Sequence, residues 1–222
     1  MPVAIGFDIY GTLVDPLQMN EHLRPVVGEK LADRFSELWR NKQIEYTFRR
    51  ALMRRYEDFG ICTRQALVHT GTVLGVDLTD EEQERLVEEY QSLRPFPDVI
   101  PGIEALKSKG HTLVAFSNGV EATARVLLDR ACVLEHLHGV ISVDDVKTFK
   151  PDPEVYHYLT RRLGTETSET WLVSSNPFDV IGAKAAGLAA AWIQRKPDAR
   201  FDPWEIEPDL VAPDLEALAQ SL

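Results

Sequence analysis

The chain has few of the residues and segments that define several broad classes of protein. Its 222 residues include 2 cysteines, Cys62 and Cys132, which stand far apart and fit neither a metal-binding motif nor a disulfide framework. No apolar run is long enough to cross a bilayer, and the N-terminus has neither the basic nor the apolar region of a signal peptide. Positive charge is scarce as well: 24 Lys and Arg against 35 Asp and Glu give a net charge of −11, which argues against nucleic acid or a membrane as partner. We therefore expect a soluble, cytoplasmic protein.

Short apolar runs and helical patterns alternate over most of the chain. Runs typical of buried strands occur at 3–7, 112–116, 139–142, 170–173 and 189–193. Strands that alternate with helices predict an α/β fold, a doubly wound parallel sheet (Rossmann-like core) with right-handed crossovers. From about residue 17 to residue 94, however, the spacing is helical throughout. We therefore predict a core formed by residues 1–15 and 96–222, with a helical cap, residues 16–95, inserted after the first strand.

Apolar spacing and capping residues predict where the helices lie. In the cap, Leu31, Phe35 and Leu38 stand at the i, i+4, i+7 spacing of a helix, and Phe48, Leu52 and Tyr56 continue at a spacing of four. Thr63 is predicted to cap a helix over 64–74, and Thr79 with Glu82 has the pattern of a capping box. In the core, helices are predicted over 103–109, 153–163 and 177–186.

Polar side chains stand at the predicted C-terminal ends of the strands. Asp8 follows the first strand and Ser117 the second, while Lys150 and Asp179 lie next to the starts of two later helices. Taken singly, each has an ordinary structural explanation as a turn residue, a helix cap or a solvated loop charge. Because the carboxyl ends of parallel strands meet at one edge of a sheet, we expect the four side chains to lie together.

These residues are also those by which the chain resembles a known family, the haloacid dehalogenase superfamily. Its four motifs occur here in order, and the resemblance spans nearly the whole chain. The first motif of the superfamily reads Asp-x-Asp-x-Thr, and Asp8-Ile9-Tyr10-Gly11-Thr12 has Tyr10 in place of the second Asp. The fourth motif has two acidic residues, and here Ser175 replaces the first while Asp179 remains.

The two departures have a chemical meaning. In the phosphatases of the superfamily, the second Asp protonates an alkoxide leaving group and the acidic residues hold Mg²⁺, which prefers hard oxygen ligands. A halide leaves as a stable anion and needs neither. The pattern therefore resembles the L-2-haloacid dehalogenase branch, and residues 38–47 are similar to its cap helix. The resemblance implies a homodimeric enzyme without cofactor or metal that converts small anionic (S)-2-haloalkanoic acids to (R)-2-hydroxyalkanoic acids with inversion at C2.

The resemblance also implies a role for each core residue of the site. Asp8 is the expected nucleophile, which forms an ester with C2 of the substrate, and Thr12 and Lys150 are expected to orient it and keep it ionised. Ser117, with backbone N–H groups after Asp8, is expected to hold the substrate carboxylate. The hydrolytic water is expected to be positioned by Asp179, with Ser174, Asn176 and Lys150 around it.

Further residues are implied for the halide and for the walls of the pocket. Arg40 is the expected halide ligand, helped by Asn118 and the apolar edge of Phe59. The remaining predicted site residues are Tyr10, Asn41, Tyr156 and Phe178. Asn41 stands where the branch has Gln, and Phe178 where it often has Trp, so we expect a pocket of different size.

Three other functions compete with this one. A Mg²⁺-dependent phosphatase has the same fold, but the missing carboxylates count against it. Ring opening of a strained cyclic amino acid uses the same nucleophile. A non-catalytic interaction protein with a decayed site is disfavoured because Asp8, Arg40, Lys150 and Asp179 are present together.

Overall fold

In the computed structural model, which describes residues 2–222, six strands form one parallel sheet. The strands are β1 (Ala4–Phe7), β2 (Thr112–Ser117), β3 (Gly139–Ser142), β4 (Thr170–Ser174), β5 (Ala189–Ile193) and β6 (Leu210–Ala212). Their order across the sheet is β3-β2-β1-β4-β5-β6, and each neighbouring pair runs parallel. This confirms the predicted doubly wound α/β fold. The order reverses beside β1, and in open α/β sheets that is where ligands bind.

Helices connect the strands on both sides of that reversal. Those between β1 and β2 are α1 (Met19–Val27), α2 (Glu29–Met53), α3 (Phe59–Leu74), α4 (Asp80–Glu89) and α5 (Val99–Ser108). Those that follow are α6 (Glu121–Arg130), α7 (Pro153–Leu163), α8 (Pro177–Ala185) and α9 (Leu215–Ser221). Among residues 2–222, no helix is both long and apolar enough to cross a membrane.

The chain leaves the sheet and returns to it through two adjacent segments. Asp15 N–H donates to the Arg94 carbonyl at 3.4 Å, and Phe96 N–H donates to the Leu13 carbonyl at 3.1 Å. Helices α1 to α4 lie between these segments and pack mainly on one another through α2. This arrangement supports our division at residues 15 and 96, which remains an interpretation.

Helix α2 is a single 25-residue helix, and the helical spacing predicted as far as Tyr56 runs past its end. It ends at Met53, where Arg54 takes a left-handed conformation with φ of 53°, so Tyr56 lies beyond the helix. Leu52 is 86% exposed. The face that is buried carries Phe35, Trp39, Gln43 and Thr47 at four-residue spacing, together with Ala32 and Ser36. Two of the four evenly spaced residues are polar, so hydrophobic periodicity alone does not identify this face.

Helix α3 begins five residues before its predicted start at Arg64. Asp58 is its N-cap, and the carboxylate accepts the N–H of Ile61 at 3.0 Å. The predicted cap, Thr63, lies inside the helix instead and donates its hydroxyl proton to the Phe59 carbonyl at 2.7 Å. The predicted capping box of α4 is present, because Thr79 and Glu82 exchange side-chain to backbone hydrogen bonds.

The core also contains elements that the sequence reading missed. Helix α5 starts at Val99 rather than Ile103, and neither β6 nor α9 was predicted. A Cβ on Gly102 would lie 2.5 Å from the Cβ of Leu215, so α5 and α9 pack too closely for any side chain at that position. Strand β6 has three residues, and its pairing with β5 depends on tertiary packing rather than on local pattern.

Candidate active site

The carboxylate of Asp8 lies at the end of β1 among hydrogen-bond donors from three other segments. Its Oδ2 accepts from Thr12 Oγ1 at 2.9 Å, from Asn176 Nδ2 at 2.8 Å and from Ser174 Oγ at 3.4 Å. Its Oδ1 accepts from Lys150 Nζ at 3.2 Å. Hydrogen bonds to an ionised carboxylate stabilise the charged form and fix its orientation. Both oxygens of Asp8 are therefore held at defined positions.

The ammonium group of Lys150 joins this carboxylate to a second one. Lys150 is 1% exposed, and Nζ also donates to Asp179 Oδ2 at 2.9 Å and to the Phe116 carbonyl at 2.9 Å. Burial lowers the pKa of Lys150, but the charges of Asp179 and Asp8 outweigh burial and leave that pKa above its ordinary value. Lys150 is therefore charged, with all three protons directed at oxygen atoms.

Asp179 lies behind Lys150 and is fully buried at the start of α8. Its Oδ1 accepts the hydroxyl of Tyr156 at 2.8 Å. Burial raises the pKa of Asp179, Lys150 opposes this, and Asp8 adds to it. Burial and the charge of Asp179 in turn raise the pKa of Tyr156 well above its ordinary value, so Tyr156 is a neutral donor. Both Asp179 oxygens are thus engaged by protein groups.

The loop after β2 forms another side of the site. Ser117 is buried, and its Oγ accepts the N–H of Gly119 at 2.9 Å. The Oδ1 of Asn118 accepts the backbone N–H of Lys150 at 3.0 Å. The orientation of Asn118 is therefore coupled to the loop that carries the buried lysine.

Arg40 reaches the cluster from the middle of α2. Its Nη2 donates to the Tyr10 carbonyl at 3.3 Å, and its Nη1 donates to Gln43 Oε1 at 2.7 Å. Asn176 Nδ2 donates to the same Tyr10 carbonyl at 3.1 Å. The guanidinium thus lies above the loop that follows Asp8.

Tyr10 and Ser175 stand where the superfamily's phosphatases have acids. The Tyr10 ring is buried against Phe59, with centroids 5.5 Å apart, and burial raises its pKa to about 12. The Ser175 hydroxyl donates to the Gly11 carbonyl at 2.6 Å, and its N–H donates to Thr12 Oγ1 at 2.9 Å. Within residues 2–222, no group of three or more His, Cys, Asp or Glu side chains is placed to hold a metal ion. The oxygen atoms of Asp8 and Asp179 instead accept hydrogen bonds from an ammonium group, that of Lys150.

Two predicted pocket residues stand apart from this cluster. Asn41 is exposed on α2, and its place in the substrate pocket stays a prediction. Phe178 is half-buried and packs edge-on against Phe48 of α2, with ring centroids 5.1 Å apart.

Two cavities border the cluster between the cap helices and the sheet. One, of about 110 Å³, is lined on the cap side by Phe59 and Tyr90 and on the sheet side by Tyr10 and Gly119. The other, of about 340 Å³, has Arg40 in its wall. These volumes match a small molecule rather than a polymer.

Sequence reasoning missed two residues that hold the site together. Gln43 binds Arg40, and its spacing of three on a helix is a signal that was available. Arg195, at the end of β5, donates to Asp98 Oδ1 and to the Thr12 carbonyl, both at 2.6 Å. That contact joins residues far apart in the chain, and no local pattern indicates it.

Comparison with known proteins shows the family to which this chain is similar. A model of the haloacid dehalogenase-like hydrolase family matches residues 3–187. Haloacetate dehalogenase H-2 of Moraxella sp. (strain B) is 37% identical over 215 residues, which cover 97% of this chain and 95% of that protein. An (S)-2-haloacid dehalogenase of Pseudomonas putida is 37% identical over 222 residues, which cover 99% and 96%.

A solved structure agrees over the same length. The L-2-haloacid dehalogenase from Xanthobacter autotrophicus with chloropropionic acid covalently bound has a TM-score of 0.93 with this chain at 30% identity. The match covers 99% of this chain and 98% of that one.

Proposed function

Because the chain belongs to the family of haloacid dehalogenase-like hydrolases, we propose that it hydrolyses the carbon–halogen bond of small (S)-2-haloalkanoic acids. The observation that carries this proposal is the Asp8 carboxylate, which accepts hydrogen bonds from Lys150 at 3.2 Å and from three neutral donors. A fixed carboxylate anion can displace a good leaving group from an sp³ carbon.

In the first step, a carboxylate oxygen of Asp8 attacks C2 in line with the carbon–halogen bond. The carbon–oxygen bond forms as the halide leaves with its bonding electron pair, and C2 inverts. The product of this step is an ester between Asp8 and the acid. A relative whose structure has chloropropionic acid covalently bound supports a covalent route of this kind.

Arg40, Asn118 and Phe59 receive the departing halide. The charge of Arg40 acts only as the halogen gains charge, so it lowers the barrier more than it strengthens substrate binding. Ser117 and the backbone N–H groups that follow Asp8 hold the substrate carboxylate. Residues 16–95 act as a cap that brings Arg40 over the core.

In the second step, water attacks the carboxyl carbon of Asp8 and releases the (R)-2-hydroxy acid. One water oxygen stays on Asp8, one former Asp8 oxygen leaves in the product, and a proton is released. Ser174 and Asn176 lie against Asp8 and are suited to position this water. Asp179 contributes through Lys150, since both its oxygens are already bonded to Lys150 and Tyr156.

Halide release from the two enantiomers of 2-chloropropionate tests the proposal. We expect chloride from the L enantiomer, none from the D enantiomer, and D-lactate as the organic product. The Asp8→Asn variant is the control, and it should release no chloride. Absence of chloride from both enantiomers, with hydrolysis of p-nitrophenyl phosphate or opening of a cyclic amino acid instead, would refute the proposal.

A further inference from the structure

Gln43 is a fully buried amide on the cap side of the site, and both ends of it are hydrogen-bonded. Its Oε1 accepts from Arg40 Nη1 at 2.7 Å, and its Nε2 donates to Thr63 Oγ1 at 2.6 Å. It therefore links the guanidinium on α2 to the neighbouring helix α3.

The orientation of this amide follows from the proton of Thr63. A hydroxyl has one proton, and Thr63 donates it to the Phe59 carbonyl at 2.7 Å within α3. Toward Gln43, Thr63 is consequently an acceptor, which requires the NH₂ end of the amide to face it. The carbonyl end must then face Arg40.

Helix α3 is itself fixed against α2 at this point. The indole Nε1 of Trp39 donates to the Thr63 carbonyl at 2.8 Å, and Trp39 is fully buried. The support behind Gln43 is thus a rigid helix rather than a mobile side chain.

We propose that Gln43, held by Thr63, is the positioning residue that directs Arg40 toward the halide while leaving its charge unpaired. A neutral oxygen orients a guanidinium without forming an ion pair. A carboxylate in the same place would offset the positive charge that the halide meets. This inference rests on the proposed function, because it assigns the support of the halide-binding residue.

Single-turnover halide release, with enzyme in excess over 2-chloro- or 2-bromopropionate, tests the inference. In Gln43→Met, Arg40 loses its acceptor, and we expect halide release to slow about 10-fold. This is the lower end of the range of rate effects expected when a hydrogen bond to a charged group is lost. KM should change less than about 3-fold, because a hydrogen bond that matters only as the halogen departs changes the rate rather than binding. Gln43→Glu should be slower than Gln43→Met, and both should slow chloride release more than bromide release, since chloride is the poorer leaving group.

Two threonines of α3 provide a matched control. Thr63 and Thr70 are both buried, and each donates to the carbonyl four residues earlier, but only Thr63 contacts Gln43 among the bonds of residues 2–222. We expect Thr63→Val to slow halide release, Thr63→Ser to restore it, and Thr70→Val to leave it unchanged.

The outcomes separate this inference from the proposed function. If wild-type enzyme releases no halide, the proposed function fails. If wild-type enzyme is active and Gln43→Met stays within twofold of it, the inference alone is overturned. Equal slowing by Thr63→Val and Thr70→Val would also overturn it, because the effect would then be loss of helix packing. Should Gln43→Met fail to fold, the Thr63→Val and Thr63→Ser pair decides the question.

Discussion

Replacing Lys150 with Met tests the electrostatic organisation of the site. Methionine keeps the length and apolar volume of the side chain but removes three protons, which are directed at Asp8 Oδ1, Asp179 Oδ2 and the Phe116 carbonyl. Two carboxylates then face each other in a buried site with no cation between them. Both the folded state and the ionised nucleophile should be destabilised.

The structure bounds the size of both effects. Removing one partner of a buried ion pair costs about 3–5 kcal/mol in the free energy of unfolding. The hydrogen bond to Asp8 is charge-assisted and contributes about 1.5–3 kcal/mol, so its loss alone should slow turnover about 10- to 150-fold. In Lys150→Met/Asp179→Asn one of the two unpaired carboxylates is gone, so part of the stability should return while activity does not.

Urea unfolding and halide release measure these quantities on the same preparations. Lys147→Met is the control, because Lys147 lies three residues away on the surface and pairs only with Asp144, at 2.9 Å, among the salt bridges of residues 2–222. That change should cost at most about 1 kcal/mol and leave turnover unchanged. Turnover of Lys150→Met within about threefold of wild type would show that Lys150 does not organise the nucleophile. A double variant no more stable than the single one would show that Lys150 does not offset a buried charge on Asp179.

Further predictions concern the leaving group, metals and pH. Arg40→Ala should slow halide release by at least roughly 10- to 150-fold, and normal release would locate the halide site elsewhere. Treatment with EDTA should leave halide release intact, and loss of activity that Mg²⁺ restores would favour the phosphatase alternative. Hydrogen bonds from Lys147 and Tyr56 lower the pKa of Asp144 below its ordinary 3.8, so this carboxylate contributes stability above that pH and loses it as the pH falls further. In urea unfolding between about pH 5 and 2, Asp144→Asn should therefore lose less stability than wild type, and equal losses would contradict this.

The parts of the fold that could be predicted are those where local pattern and tertiary structure agree. Strand β1 is buried on both faces, so a continuous apolar run identifies it, and the abrupt change to Asp8 marks its end. Helix α7 was predicted with its observed bounds because proline begins it and Gly164, with φ of 68°, ends it. Asp8, Lys150 and Asp179 meet because parallel strands share one carboxyl edge, the edge at which Ser117 ends β2.

The errors come from features that local pattern leaves undetermined. Asp58 and Thr63 are both good N-caps, and the structure shows that Asp58 begins α3, because its carboxylate accepts the N–H of Ile61. Gln43 lies three residues after Arg40 on α2 and was overlooked. The cytoplasmic location and the homodimer remain predictions.

In the proposed reaction Asp8 attacks the substrate carbon, and water then releases Asp8 by attacking its carboxyl carbon. A single turnover in H₂¹⁸O, with enzyme in excess, distinguishes this route from direct attack by water. We expect the first hydroxy acid to carry ordinary oxygen taken from Asp8, and mass spectrometry of the peptide that contains Asp8 to find ¹⁸O in the enzyme. A first-turnover hydroxy acid fully labelled at the hydroxyl, with no label in that peptide, would mean that water attacks C2 directly and that Asp8 is not the nucleophile.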